Sequence, residues 1–182
     1  MSSFSHIDDE GRARMVDVTA KKPTVRTAVA GGKIHMNPDT LDLIRSHKVK
    51  KGNVLETARI AGIMAAKKTA ELIPMCHPLN ITHIQVDFSP DADRSCIGIE
   101  ATVRAIDQTG VEMEALNAVQ VSLLTVYDMC KAIDRGMMIS DVGLVSKSGG
   151  QSGDWSSDAK TLYKNVELQL YRIAQESINN IQ

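Results

Sequence analysis

The chain has 182 residues, with 21 lysines and arginines against 22 aspartates and glutamates, so no strong field gathers nucleic acid or a charged membrane surface. Aromatic residues make up 3% of it, too few for the stacking platforms of a single-strand binder. The N-terminus, Met1 to Arg14, is polar and no apolar run reaches about 18 residues, which predicts neither secretion nor a membrane span.

Residues 1–23 read as an N-terminal arm, within which Val16-Asp17-Val18 is the piece expected to dock. Thr24 to Met36 alternates loosely and predicts a strand interrupted at Gly31-Gly32. Asn37-Pro38 is a cap followed by a first-turn proline, predicting a helix from Pro38 to about His47. After the basic loop His47 to Gly52, Asn53 caps a longer helix, Val54 to Leu72, ended by Pro74. Ile84, Val86 and Phe88 alternate with polar residues, and Ile97 to Ala105 does the same across a turn at Ser89 to Asp93, so the two runs predict a hairpin. Leu116, Val119, Leu123, Val126, Tyr127, Cys130 and Ile133 recur at three and four, predicting a helix over Glu114 to Asp134. Met138 to Val145 reads as a last strand, Lys147 to Gly153 as a mobile loop, and residues 158–180 as a peripheral amphipathic helix.

The order β-α-α-β-β-α-β predicts an α+β, ferredoxin-like antiparallel sheet with helices packed on one face. The expected division is an arm over 1–23, a catalytic domain over 24–154 and a C-terminal extension over 155–182. The uncovered sheet face calls for a second subunit. Three cysteines, Cys76, Cys96 and Cys130, are an odd number without paired spacing and read as reduced thiols of a cytoplasmic protein.

Chemistry-bearing residues cluster in four places. Pro74-Met75-Cys76-His77-Pro78-Leu79 sets a thiol beside an imidazole on a stiffened loop, although the same residues serve equally as a helix stop. Glu112 and Glu114 flank Met113, so in an extended segment both carboxylates face one side; they also suit a helix N-terminus. Asp128 and Lys131 are neighbours on a helix, either a surface ion pair or the lining of a cleft where nearby positive charge lowers the proton affinity of Lys131. Arg26, Lys51, Lys131 and Lys147 are separated cations that would hold a polyphosphate if the fold gathered them. No Walker sequence is present, and Cys76, His77, His83 and Cys96 lack the spacing of a zinc site.

Taken together these stretches resemble the MoaC family, the cyclic pyranopterin monophosphate synthases. The matching segments are Met15 to Val18, Lys51 to Val54 with Thr57 to Gly62, Leu72 to Leu79, Thr109 to Leu116, Tyr127 to Ala132 and Lys147 to Gly150. The resemblance implies a pyrophosphate-releasing lyase of molybdenum-cofactor biosynthesis. Its substrate would be 3′,8-cyclo-7,8-dihydroguanosine 5′-triphosphate, supplied by a radical-SAM enzyme acting on GTP. It also implies a hexamer, a trimer of dimers, with sites at the dimer interface. Carried onto this chain it makes Asp128, Lys51 and Lys131 the catalytic residues. Met75, Cys76, His77, Glu112, Met113, Glu114, Arg26 and Lys147 become the substrate contacts. No resident cofactor or metal is expected, with Mg2+ on the triphosphate left open.

Overall fold

The computed structural model describes residues 10–150 and 153–157. Five strands form one antiparallel sheet in the order β2-β3-β1-β4-β5. β1 is Thr24–His35, β2 Ile81–Asp91, β3 Cys96–Asp107, β4 Met138–Ser148 and β5 Trp155–Ser156. The first four in this arrangement are the ferredoxin-like sheet the element order predicts. Helices α1 (Pro38–Arg45), α2 (Val54–Lys67), α3 (Thr69–Leu72) and α4 (Glu112–Cys130) complete the described elements.

Alternation builds the core. Ala28, Ala30 and Ile34 of β1 lie across from Val103, Ala101 and Ile97 of β3, and all six are fully buried. Val119, Leu123 and Val126 of α4 close over them, while α2 packs along α4 and reaches β2. Small side chains set the spacing. A Cβ on Gly32 would meet Leu123, Val119 and Val142, and one on Gly62 would meet Ser122 and the Ala118 carbonyl, so both glycines let elements approach closely. Among the described residues no helix covers the opposite sheet face, which bears exposed Val25 and Ile106.

Several boundaries differ from those expected, each for a local reason. β1 runs unbroken through Gly31-Gly32, and the irregularity appears instead as register shifts against β4. The predicted helix over 54–72 is divided at Lys68, where the Thr69 hydroxyl donates to the Ala65 and Ala66 carbonyls at 3.3 and 3.1 Å. α4 starts two residues early, at Glu112, and stops at Cys130, leaving Ile133 exposed rather than in the apolar stripe. β4 extends to Ser148, so Lys147 lies on a strand rather than a loop, and β2 runs into the expected turn as far as Asp91. The helix expected over 158–180 lies outside the described residues. No helix among the described residues is long and apolar enough to cross a membrane.

Candidate active site

The predicted residues fall at the two ends of α4. At its C-terminal end, the turn holding Gly52 at φ 103° delivers Lys51, whose Nζ donates to the Asp128 carbonyl at 2.8 Å and stands 3.5 Å from Oδ2. Lys131, the residue capping the helix, donates to Asp128 Oδ1 at 2.6 Å. Two ammoniums suit this place, because the last carbonyls of a helix lack partners and carry the negative end of its dipole. The hydrogen bond and charge of Lys131, with Lys51 adding to them, hold the Asp128 carboxyl below its ordinary range. Lys131 responds in the opposite direction to that expected: Asp128 raises it, by hydrogen bond first and charge second, and outweighs the desolvation that lowers it.

At the N-terminal end the Pro74-to-Pro78 loop meets the first turn of α4. Met75, Cys76, His77, Met113 and Glu114 share the wall of a cavity of about 320 Å³. Glu112 and Glu114 do not point to one side, since the segment is helical rather than extended. Two positions around a helix turn residues about 200° apart. Glu112 instead meets Lys147 at 2.9 Å, whereas Glu114 faces inward and is 3% exposed. Burial pushes the Glu114 carboxyl up to about 7, with Glu112 adding its charge and the Glu114 N–H opposing. The Cys76 thiol is raised by burial and then by Glu114, so it stays protonated at neutral pH and is no nucleophile at rest.

Arg26 is buried at the same end and donates to three backbone carbonyls, those of Gln108, Gly149 and Asp107, at 3.1, 3.3 and 3.4 Å. A side chain on Gly150 would collide with its guanidinium, so the Gly149-Gly150 turn is shaped around Arg26. Arg26 thus ties the ends of β1 and β3 to the segment following Lys147.

The four predicted cations are therefore divided, Arg26 and Lys147 at one end and Lys51 and Lys131 at the other. Glu112 and Asp128 are sixteen residues apart on α4, or about 24 Å at 1.5 Å per residue. The length of α4 likewise keeps Asp128 away from Glu112 and Glu114, so within one chain the three carboxylates cannot share a metal ion. Among the described residues no group of three His, Cys, Asp or Glu is placed to hold a metal ion. Sequence reasoning passed over Lys21, on the cavity wall, because a lysine in a polar arm carries no local signal, whereas Thr109 lies there at the head of a segment the sequence did single out. The docking of Val16 and Val18, by contrast, is as expected: both are half-buried against the cavity.

The MoaC family pattern matches residues 15–150. A cyclic pyranopterin monophosphate synthase of Desulforapulum autotrophicum is 61% identical over 158 residues, 87% of this chain and 97% of the relative. Relatives of the same name from Roseiflexus sp. and Pelotomaculum thermopropionicum are 58% and 60% identical, covering 87% and 84% of this chain and 100% and 90% of their own lengths.

Proposed function

The chain belongs to the MoaC family, and from that premise we propose that it is a cyclic pyranopterin monophosphate synthase of molybdenum-cofactor biosynthesis. The observation that carries this reading is identity near three-fifths, sustained along almost the full length of relatives named for that activity. The substrate in this reading is the cyclic, GTP-derived triphosphate, made upstream by a radical-SAM enzyme. The product is a cyclic monophosphate, so a substrate hydroxyl must displace pyrophosphate at the α-phosphorus, and the enzyme is a phosphorus–oxygen lyase. No resident cofactor enters, and Mg2+ comes only as a companion of the triphosphate. The setting is the cytoplasm.

The residues divide the work by charge. Asp128 orients Lys51 and Lys131 toward the reacting atoms, and the three together carry net positive charge that favours an anionic substrate. The lysines hand over protons during ring opening and reclosure. His77, Met75, Cys76 and Met113 form the wall against the heterocycle, and Glu114 supplies a carboxyl that exchanges a proton near neutral pH. Lys147, aligned by Glu112, and Arg26 stabilise the phosphate chain as pyrophosphate departs.

A span of about 24 Å between the half-sites is one that no single nucleotide bridges. The working site therefore joins the C-terminal end of α4 in one copy to the N-terminal end in another, within a hexamer built as a trimer of dimers. The sheet face that no described helix covers and the exposed Ile60, Met64 and Leu124 on the helix layer supply surface for such packing. Incubation with the cyclic triphosphate is expected to yield equal amounts of oxidisable fluorescent pterin and pyrophosphate. Pyrophosphate without pterin would favour a hydrolase, and neither product would leave a non-catalytic assembly module.

A further inference from the structure

Two side chains of α4 bridge to carbonyls of α2. Ser122 Oγ donates to the Ala58 carbonyl at 3.1 Å, and Asn117 Nδ2 donates to the Ala65 carbonyl at 2.9 Å. The first bridge meets the first half of α2, and the second meets the break where α2 ends and α3 begins. In an unbroken helix the Ala65 carbonyl would accept the Thr69 N–H. Here it takes the Lys68 N–H at 3.0 Å, and the Thr69 hydroxyl and Asn117 amide complete it. Asn117 also donates to Thr69 Oγ1 at 3.2 Å, and Thr69 is 1% exposed. A carbonyl only accepts, so the amide must present Nδ2 to this place.

From Thr69 a short run of bonds leads to the cavity. The Ile73 N–H donates to the Thr69 carbonyl at 2.9 Å across the single turn of α3, and the Cys76 N–H donates to the Ile73 carbonyl at 3.0 Å. Cys76 and His77 then line the cavity beside Glu114. Glu114 and Asn117, three residues apart, are neighbours on one face of α4. That face therefore holds both the root of the Pro74-to-Pro78 loop and the buried carboxyl beside which the loop ends.

We propose that Asn117 is a positioning residue, which closes the break between α2 and α3 and so fixes the Pro74-to-Pro78 loop against the first turn of α4. It acts through Thr69 and the loop. The effect on turnover rests on the functional reading above, and the effect on the loop does not.

The test uses the full-length protein and its own thiols. Cys96 and Cys130 are buried, whereas Cys76 is half-buried. Alkylation by iodoacetamide, followed peptide by peptide in a mass spectrometer, reports the loop at Cys76 and the whole fold at the other two. Burial and Glu114 both keep the Cys76 thiol protonated, so a loosened loop reacts faster. Asn117→Leu and Thr69→Val are expected to speed Cys76 labelling about tenfold, the scale of one lost hydrogen bond, with Cys96 and Cys130 still protected. Their kcat/KM for the cyclic triphosphate falls by a similar factor, while Thr69→Ser, which keeps the hydroxyl, stays within about twofold of the parent. Ser122→Ala removes the other bridge and is the control: it lowers the melting temperature but leaves Cys76 labelling and turnover at the parental level. Parental labelling of Cys76 in Asn117→Leu, or equal acceleration in Ser122→Ala, would overturn the proposal. Joint labelling of all three thiols in both Asn117→Leu and Thr69→Val would also overturn it, because the bonds would then support the whole fold rather than the loop. A parent protein that makes no pterin, with Cys76 labelling as expected, would overturn the functional reading and leave the loop assignment standing.

Discussion

Asp128→Ala is expected to lower kcat by about a thousandfold or more while leaving the fold in place, because the role proposed for it is to orient two ammoniums rather than to support the core. The side chains of Asp128, Lys51 and Lys131 are each roughly half exposed, and exposed ion pairs contribute little to stability. Loss of the carboxylate leaves both lysines charged but unaligned, which is costly only where chemistry demands alignment. Asp128→Asn keeps the shape and one acceptor but loses the charge, and is expected to remain about a hundredfold down. Steady-state turnover by pterin fluorescence, alongside a thermal melt, separates the two effects. Turnover within tenfold of the parent would remove Asp128 from the mechanism.

Glu114→Gln is expected to gain stability and lose activity, the converse of an ordinary core substitution. The carboxyl titrates near 4.5 in the unfolded chain and about 7 in the folded one, so between those values the folded state holds more protons. Stability is therefore highest below pH 4.5 as far as this group is concerned, and falls as pH rises to about 7. Above pH 7 the buried ionised group costs about 3 kcal/mol, at 1.36 kcal/mol per pKa unit. Glutamine removes that cost, so denaturant unfolding at pH 8 should show a gain of that order and near pH 4 almost none. Activity should drop about a hundredfold, with the limb near pH 7 missing from the kcat/KM profile. A variant no more stable than the parent at pH 8 would show that Glu114 is not held near 7.

The period-two runs at Ile84 to Phe88 and Ile97 to Ala105, and the three-and-four stripe of α4, carry the fold openly because they encode burial, and burial is what the sheet and helix repeat. Less legible was whatever depends on a single side chain competing with the backbone. Nothing in the spacing of Val54 to Leu72 announces that the Thr69 hydroxyl will take two carbonyls and divide the helix. The site residues were legible as types and illegible as places. Glu112-Met113-Glu114 reads the same in a strand or a helix, yet the helix sends one carboxylate to Lys147 and buries the other. The basic residues, too, read as one potential polyphosphate cradle. Sixteen residues of intervening helix divide them, and that distance becomes visible only when α4 is drawn straight.

The central claim, that one working site takes the 128-end of α4 from one copy and the 114-end from another, has a direct test. Asp128→Ala and His77→Ala proteins, each inactive alone, are mixed under conditions where subunits are shown to exchange. With random pairing in an isologous dimer, half the dimers are mixed and each regains one of two sites, so about a quarter of parental activity should return. Activity that stays at the level of the separate variants, with exchange demonstrated, would contradict the shared site.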